Sequence, residues 1–110
     1  MSEHSLLDAS SAALLVDLYE LTMMQAYHAC GMEAGAATFD LFVRRLPRNR
    51  NFLLTAGLGT VLELLEELRF SPADLEYLDS TGLFTDSFLA TLEHFRFTGD
   101  VEAVPEGTVL

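Results

Sequence analysis

The spacing of the apolar residues changes period three times along this chain, and this pattern constrains the fold more than any other feature. From about Ala12 to Cys30, residues recur every three or four positions, as in a helix with one buried face. These residues are Leu14, Leu15, Leu18, Tyr19, Thr22 and Ala26. Ser10 or Ser11 can cap the start of this helix, and Gly31 can adopt the left-handed conformation that ends it.

The next segment, residues 37–43, alternates between apolar and polar residues, which is typical of a half-buried strand. Its apolar face consists of Ala37, Phe39, Leu41 and Val43. Phe42 breaks the alternation, because it is an apolar residue on the polar face. A loop with Pro47 follows, and residues 52–55 are interpreted as a second short strand.

Helical spacing returns at Gly57. The apolar face of the helix that begins there consists of Val61, Leu62, Leu65 and Leu68. Ser71 to Asp74 favour a new helix start, since they combine a capping serine, a proline in the first turn and an acid near the positive end of the helix. We expect this helix to end near Gly82.

A further helix is predicted from Thr85 or Asp86. It uses Phe88, Leu89, Leu92 and Phe95 as its apolar face. Residues 98–110 alternate again, and Pro105-Glu106-Gly107 predicts a type I turn that leads into a return strand. Strands mixed with helices, without a regular βαβ repeat, indicate the α+β class.

The sequence predicts a flexible lead-in over residues 1–11 and one domain over residues 12–110. Because the return strand stops after three residues, we expect the domain to be incomplete, with the chain ending inside a hairpin.

Charge and composition exclude several functions. Six basic residues against seventeen acidic ones give a net charge of −11, which disfavours nucleic acids and anionic membranes as partners. No uncharged run approaches the roughly 18 residues of a membrane span. One cysteine, Cys30, and an acidic amino terminus without an export signal indicate the cytoplasm.

Positive charge is concentrated in one window. The chain has no lysine, and four of its six arginines are Arg44, Arg45, Arg48 and Arg50. They form either a solvated loop that offsets nearby acids or a phosphate-binding site, since guanidinium groups bind phosphate oxygens in pairs.

Tyr19 also has two interpretations. It is either a partly buried core residue with its hydroxyl at the edge or a flat face that stacks on a planar heterocycle. His28, Cys30 and Glu33 do not predict a metal site, because the first two diverge on one helix and no second ligand pair follows. No nucleophile, histidine and acid set is recognisable from the spacing.

Three segments together resemble the amino-terminal part of nicotinate phosphoribosyltransferases. They are residues 14–23 (LLVDLYELTM), residues 39–58, which begin FDLFVRRLP, and residues 95–107 (FRFTGDVEAVPEG). The resemblance covers roughly residues 12–110 and keeps the family's order. Val16 departs from it, because the family usually has threonine before the aspartate.

The resemblance implies the amino-terminal α+β domain of a type II phosphoribosyltransferase, without the barrel domain. The family makes nicotinate mononucleotide from nicotinate and phosphoribosyl pyrophosphate, which is the first step of NAD salvage from nicotinate. It is an ATP-dependent ligase that uses Mg²⁺ and a transient phosphohistidine, and it forms homodimers with shared active sites. Tyr19 would stack on nicotinate, and Arg44 or Arg45 would approach substrate phosphate.

The resemblance also implies that catalytic residues lie outside this chain. None of His4, His28 and His94 matches the phosphorylated histidine of the family. We therefore expect no catalytic residue, no bound metal, ATP or Mg²⁺, and no turnover from these 110 residues alone. The alternative is a stand-alone acidic interaction module or a decayed fragment. The gene beyond Leu110 distinguishes the two, since it encodes a barrel in the first case and a stop codon in the second.

Overall fold

The computed structural model describes residues 12–110, which form four helices. They are α1 (Leu18–Ala29), α2 (Leu58–Glu67), α3 (Pro72–Ser80) and α4 (Asp86–Glu93). Within this range no strand forms, and strand pairing is limited to an isolated antiparallel bridge between Leu54 and Val109. The predicted α+β class is therefore not confirmed. None of the four helices is long and apolar enough to cross a membrane.

Helix α1 begins later than predicted and buries a different face. Asp17 is its N-cap, whereas the predicted caps at Ser10 or Ser11 lie outside the described residues. Leu21 is buried, while Leu18 and Tyr19 are exposed. Gln25 and His28 also lie along the inward face. Because both are polar, the spacing of the apolar residues alone cannot reveal this face. The predicted end is confirmed, because Gly31 has a left-handed φ of 70°.

Helices α3 and α4 pack against each other and form the best-packed part of residues 12–110. The predicted capping serine, Ser71, begins α3, and it forms a reciprocal capping box with Asp74 through bonds of 2.9 and 3.1 Å. Thr85 caps α4 by accepting a hydrogen bond from the Phe88 amide. The apolar core around these helices consists of Ala13, Leu21, Phe70, Leu78, Phe84, Phe88 and Leu92.

Helix α2 confirms the predicted start after Gly57 but not the predicted buried face. No residue of α2 is buried, and Val61 and Leu62 are 45% and 40% exposed. An apolar face requires a surface to pack on, and within residues 12–110 α2 has none that covers it.

The predicted strand over residues 37–43 is wrong. These residues have no regular structure, and no backbone hydrogen bond joins residues 36–46 to another described segment. Phe39 is 89% exposed and Leu41 is fully exposed. A strand requires a partner to satisfy its backbone groups, and residues 12–110 provide none here.

The two other predicted strands do meet. The backbone groups of Leu53 and Leu110 exchange hydrogen bonds of 3.0 and 2.9 Å, and the Thr55 amide donates to the Thr108 carbonyl. The turn at Pro105 forms where predicted, with Thr108 donating to the Pro105 carbonyl. Gly107 has a φ of 81°, which belongs to a type II turn and not to the predicted type I turn.

Candidate functional site

Tyr19 lies in the first turn of α1 with its ring open to solvent. Its side chain is 61% exposed, so it is not part of the core. Its carbonyl accepts a hydrogen bond from the Thr22 hydroxyl, which fixes the local backbone but leaves the ring free. Met23 and Tyr27, one and two turns further along the same face, are also exposed. Together these three side chains form an apolar stripe along the outer face of α1.

Two clefts adjoin the start of α1, and Tyr19 lines neither. A narrow cleft of about 150 Å³ lies between Leu21 and the aromatic pair Phe70 and Phe95. A more open one of about 420 Å³ is lined by Leu14, Leu15, Val16, Asp17 and Glu20. The two carboxylates make this second cleft unsuited to an anion. The ring of Tyr19 is therefore exposed on the outer face of α1 and is not enclosed by either cleft.

The arginine cluster is a solvent-exposed loop. Arg44, Arg45, Arg48 and Arg50 are all exposed, and none forms an ion pair with a carboxylate in residues 12–110. Asn49 has a left-handed φ of 70°, and the Arg50 amide donates to the Pro47 carbonyl, so the loop turns tightly there. No hydrogen bond within the described range connects this loop to Tyr19. The structure thus places the two predicted binding features on separate segments.

The sequence did not predict a polar contact between α1 and the start of α4. The Gln25 side chain donates to the Leu83 carbonyl at 3.0 Å and accepts from the Thr85 amide at 2.7 Å. One turn later, His28 contacts Ser87 through Nε2 and Glu33 through Nδ1, both at 3.1 Å. The three-residue spacing of Gln25 and His28 was the available signal, since it places both on one face of α1.

Comparisons of the sequence with protein-family models and with individual proteins identify the same family. Residues 14–110 match the nicotinate phosphoribosyltransferase (NAPRTase) N-terminal domain. Over 98 residues the chain is 53% identical to nicotinate phosphoribosyltransferase pncB2 of Mycobacterium tuberculosis, covering 89% of this chain and 21% of that protein. It is 38% identical over 105 residues to the human nicotinate phosphoribosyltransferase, covering 92% of this chain and 19% of that protein.

The enzyme of the same name from Bacillus subtilis is 39% identical over 77 residues, which cover 69% of this chain and 16% of that protein. The chain thus spans about a fifth of the length of these relatives. No solved structure matches it. The matched region includes Tyr19, Arg44 and Arg45, as well as all four helices. This chain belongs to the nicotinate phosphoribosyltransferase family, within which it corresponds to the N-terminal domain.

Proposed function

We propose that this chain supplies one wall of the nicotinate site in a nicotinate phosphoribosyltransferase. In this reaction the ribosyl phosphate of phosphoribosyl pyrophosphate is transferred to nicotinate, giving nicotinate mononucleotide and pyrophosphate. The observation that carries the proposal is the exposed ring of Tyr19 at the start of a helix within the matched region. Such a ring has few rotatable bonds, so it can stack on a pyridine ring at little entropic cost.

Arg44 and Arg45 have a separate role in the proposal. Their exposed guanidinium groups have no carboxylate partner among residues 12–110, and they are the main positive feature of a chain with a net charge of −11. Guanidinium groups bind phosphate oxygens through pairs of hydrogen bonds. We assign them to a phosphate of phosphoribosyl pyrophosphate.

The proposal leaves the ATP-dependent step to other parts of a full-length enzyme. Residues 12–110 contain no group of three or more His, Cys, Asp or Glu side chains that could hold a metal ion. In the proposal we assign neither Mg²⁺ nor ATP to these residues. In a homodimer with shared active sites, the outer stripe of α1 would complete a site built mainly by other residues.

The test compares Tyr19→Ala with Tyr77→Ala in a full-length enzyme that contains this domain. Tyr77 is a matched control, because it is 62% exposed and lies on another helix. Loss of one stacked ring costs about 1 kcal/mol, which corresponds to a roughly fivefold higher KM for nicotinate. The Tyr77 variant should keep the original KM. Unchanged kinetics for the Tyr19 variant would exclude Tyr19 as a nicotinate ligand.

The phosphate role is tested with Arg44→Gln and Arg45→Gln combined in the same enzyme. We expect weaker binding of phosphoribosyl pyrophosphate with an unchanged KM for nicotinate. An effect confined to nicotinate would contradict this assignment.

The purified 110-residue chain should give no nicotinate mononucleotide, and its synthesis would show that the chemistry lies within this domain.

A further inference from the structure

Three side chains at the contact between α1 and α4 have the geometry of a serine nucleophile with its base and orienting acid. The Ser87 hydroxyl lies 3.1 Å from Nε2 of His28. Nδ1 of the same ring lies 3.1 Å from the Glu33 carboxylate. The His28 side chain is 20% exposed, and its ring packs beside Phe88 with a centroid distance of 6.0 Å. The imidazole is thus held from two sides, by Glu33 five residues further along the chain and by Ser87 at the start of α4.

The partners determine which ring nitrogen carries the proton in the neutral imidazole. A carboxylate only accepts hydrogen bonds, so Glu33 favours a proton on Nδ1. Nε2 then has a free lone pair directed at the Ser87 hydroxyl. These are the roles by which a serine, a histidine and an acid activate a nucleophile.

We propose that Ser87 is an activated nucleophile that accepts the acyl group of small, uncharged activated esters. His28 acts as the general base, and Glu33 positions the imidazole. This activity is independent of phosphoribosyl transfer and uses neither Tyr19 nor the arginine cluster.

Backbone amides at the start of α4 suit the charge that develops on the ester carbonyl. The Thr85 amide donates to Gln25, and the Phe88 amide donates to the Thr85 hydroxyl. The amides of Asp86 and Ser87 have no acceptor among residues 12–110. They are free donors at the positive end of a helix, beside the nucleophile.

The surroundings define the substrate class. The Asp86 carboxylate adjoins the site, and the chain has a net charge of −11, so anionic esters are disfavoured. Ser87 is exposed and lines neither of the two clefts at the start of α1, so neither cleft can hold a long acyl chain on this serine. The substrate is a small neutral ester such as an aryl acetate.

The reaction balances without a cofactor. The Ser87 oxygen forms a bond to the carbonyl carbon and releases its proton to Nε2 of His28. The bond to the leaving oxygen then breaks, and Nε2 returns the proton to that oxygen or to water. In the second half, His28 takes a proton from water, which attacks the acyl serine. A carboxylic acid leaves, and the Ser87 hydroxyl regains its proton.

The first test incubates the 110-residue chain with p-nitrophenyl acetate and locates the acetyl group by mass spectrometry. We expect acetylation at Ser87 in buffer, and in concentrated urea we expect Ser87 to be no more reactive than Ser80. Ser80 is a suitable reference because it is an exposed helical serine whose hydroxyl donates to the Tyr77 carbonyl. Acetyl groups on other residues with none on Ser87 would overturn the proposal without the need for any variant.

The second test measures the rate of p-nitrophenol release from variants with unchanged circular dichroism spectra. Ser87→Ala and His28→Gln should lower the rate by about 100-fold, the lower range for general base catalysis, and Glu33→Gln should lower it less. Ser80→Ala and His94→Gln are matched controls, and both should retain the full rate. A rate that depends on His94, an exposed histidine, or that survives Ser87→Ala would identify ordinary imidazole hydrolysis instead.

Discussion

The unit formed by α3 and α4 and the segment over residues 36–46 both contain several large apolar residues, yet only the first buries any of them. Phe88 in α4 is 2% exposed, whereas Phe39 is 89% exposed. In the first unit, each helix has its own capping residue, and the two helices that pack together are close in sequence. The second segment has no backbone hydrogen bond to any other part of residues 12–110. Hydrophobicity therefore predicts that a residue needs burial, but not that the chain itself can provide it.

The largest expected effect comes from replacing one aromatic residue in each region. Phe88→Ala removes a buried ring that stacks on Phe84 at 5.8 Å, and it should lower the free energy of unfolding by about 3–5 kcal/mol. Phe39→Ala should change it by less than about 0.5 kcal/mol. Urea denaturation of both variants measures the difference. Equal losses would show that residues 36–46 pack as well as the helical core does.

Helices α3 and α4 were predictable because the residues that begin them and form their apolar faces act locally. The capping serine and proline before α3, the cap at Thr85 and the apolar spacing of α4 each specify structure within a few residues. Helix α1 forms and ends as predicted, but its predicted buried face was wrong, because Gln25 and His28 face inward and form hydrogen bonds. A hydrophobic pattern carries no information about which polar residues will find such partners.

The candidate site shows the same division between features that the local sequence predicts and features that depend on contacts formed in the folded chain. Tyr19, Arg44 and Arg45 were recognisable as residue types, but their separation on the structure depends on contacts that no local pattern encodes. The Ser87, His28 and Glu33 cluster joins residues 59 positions apart in sequence at its widest. Spacing along the chain could not show it, because the helices bring these side chains together only after folding.

A smaller effect is expected at the capping box of α3, which tests whether local signals stabilise the compact unit. Asp74 is 9% exposed, and its carboxylate accepts from the Ser71 amide at 2.9 Å. Asp74→Ala should lower the free energy of unfolding by about 1 kcal/mol, within the range measured for helix caps. Asp79→Ala, on the exposed surface of the same helix, is the control. Thermal denaturation should separate the two variants, and equal midpoints would show that the box adds nothing.

An effect of similar size or less is expected where Glu106 holds the start of α2. Its carboxylate accepts from the amides of Gly57 and Leu58 at 2.7 and 3.1 Å, which connects the last turn of the chain to this helix. Glu106→Gln removes the charge that favours a helix start, at a cost of about 0.5–1 kcal/mol. Hydrogen exchange at the Thr55 and Thr108 amides should become faster. Glu102→Gln, an exposed acid on the same segment, should leave both amides unchanged.

The smallest expected effect on stability is at Leu41, in the exposed segment over residues 36–46. Leu41 is fully exposed, so Leu41→Ser should leave the urea midpoint of the chain unchanged. An exposed apolar segment with unpaired backbone groups favours association with another chain, however, and the serine variant should associate less. Sedimentation velocity at rising concentration measures this, with Asp40→Ser as a neighbouring polar control. A loss of stability above about 1 kcal/mol would mean that Leu41 is buried in solution, because only a buried leucine costs that much to remove.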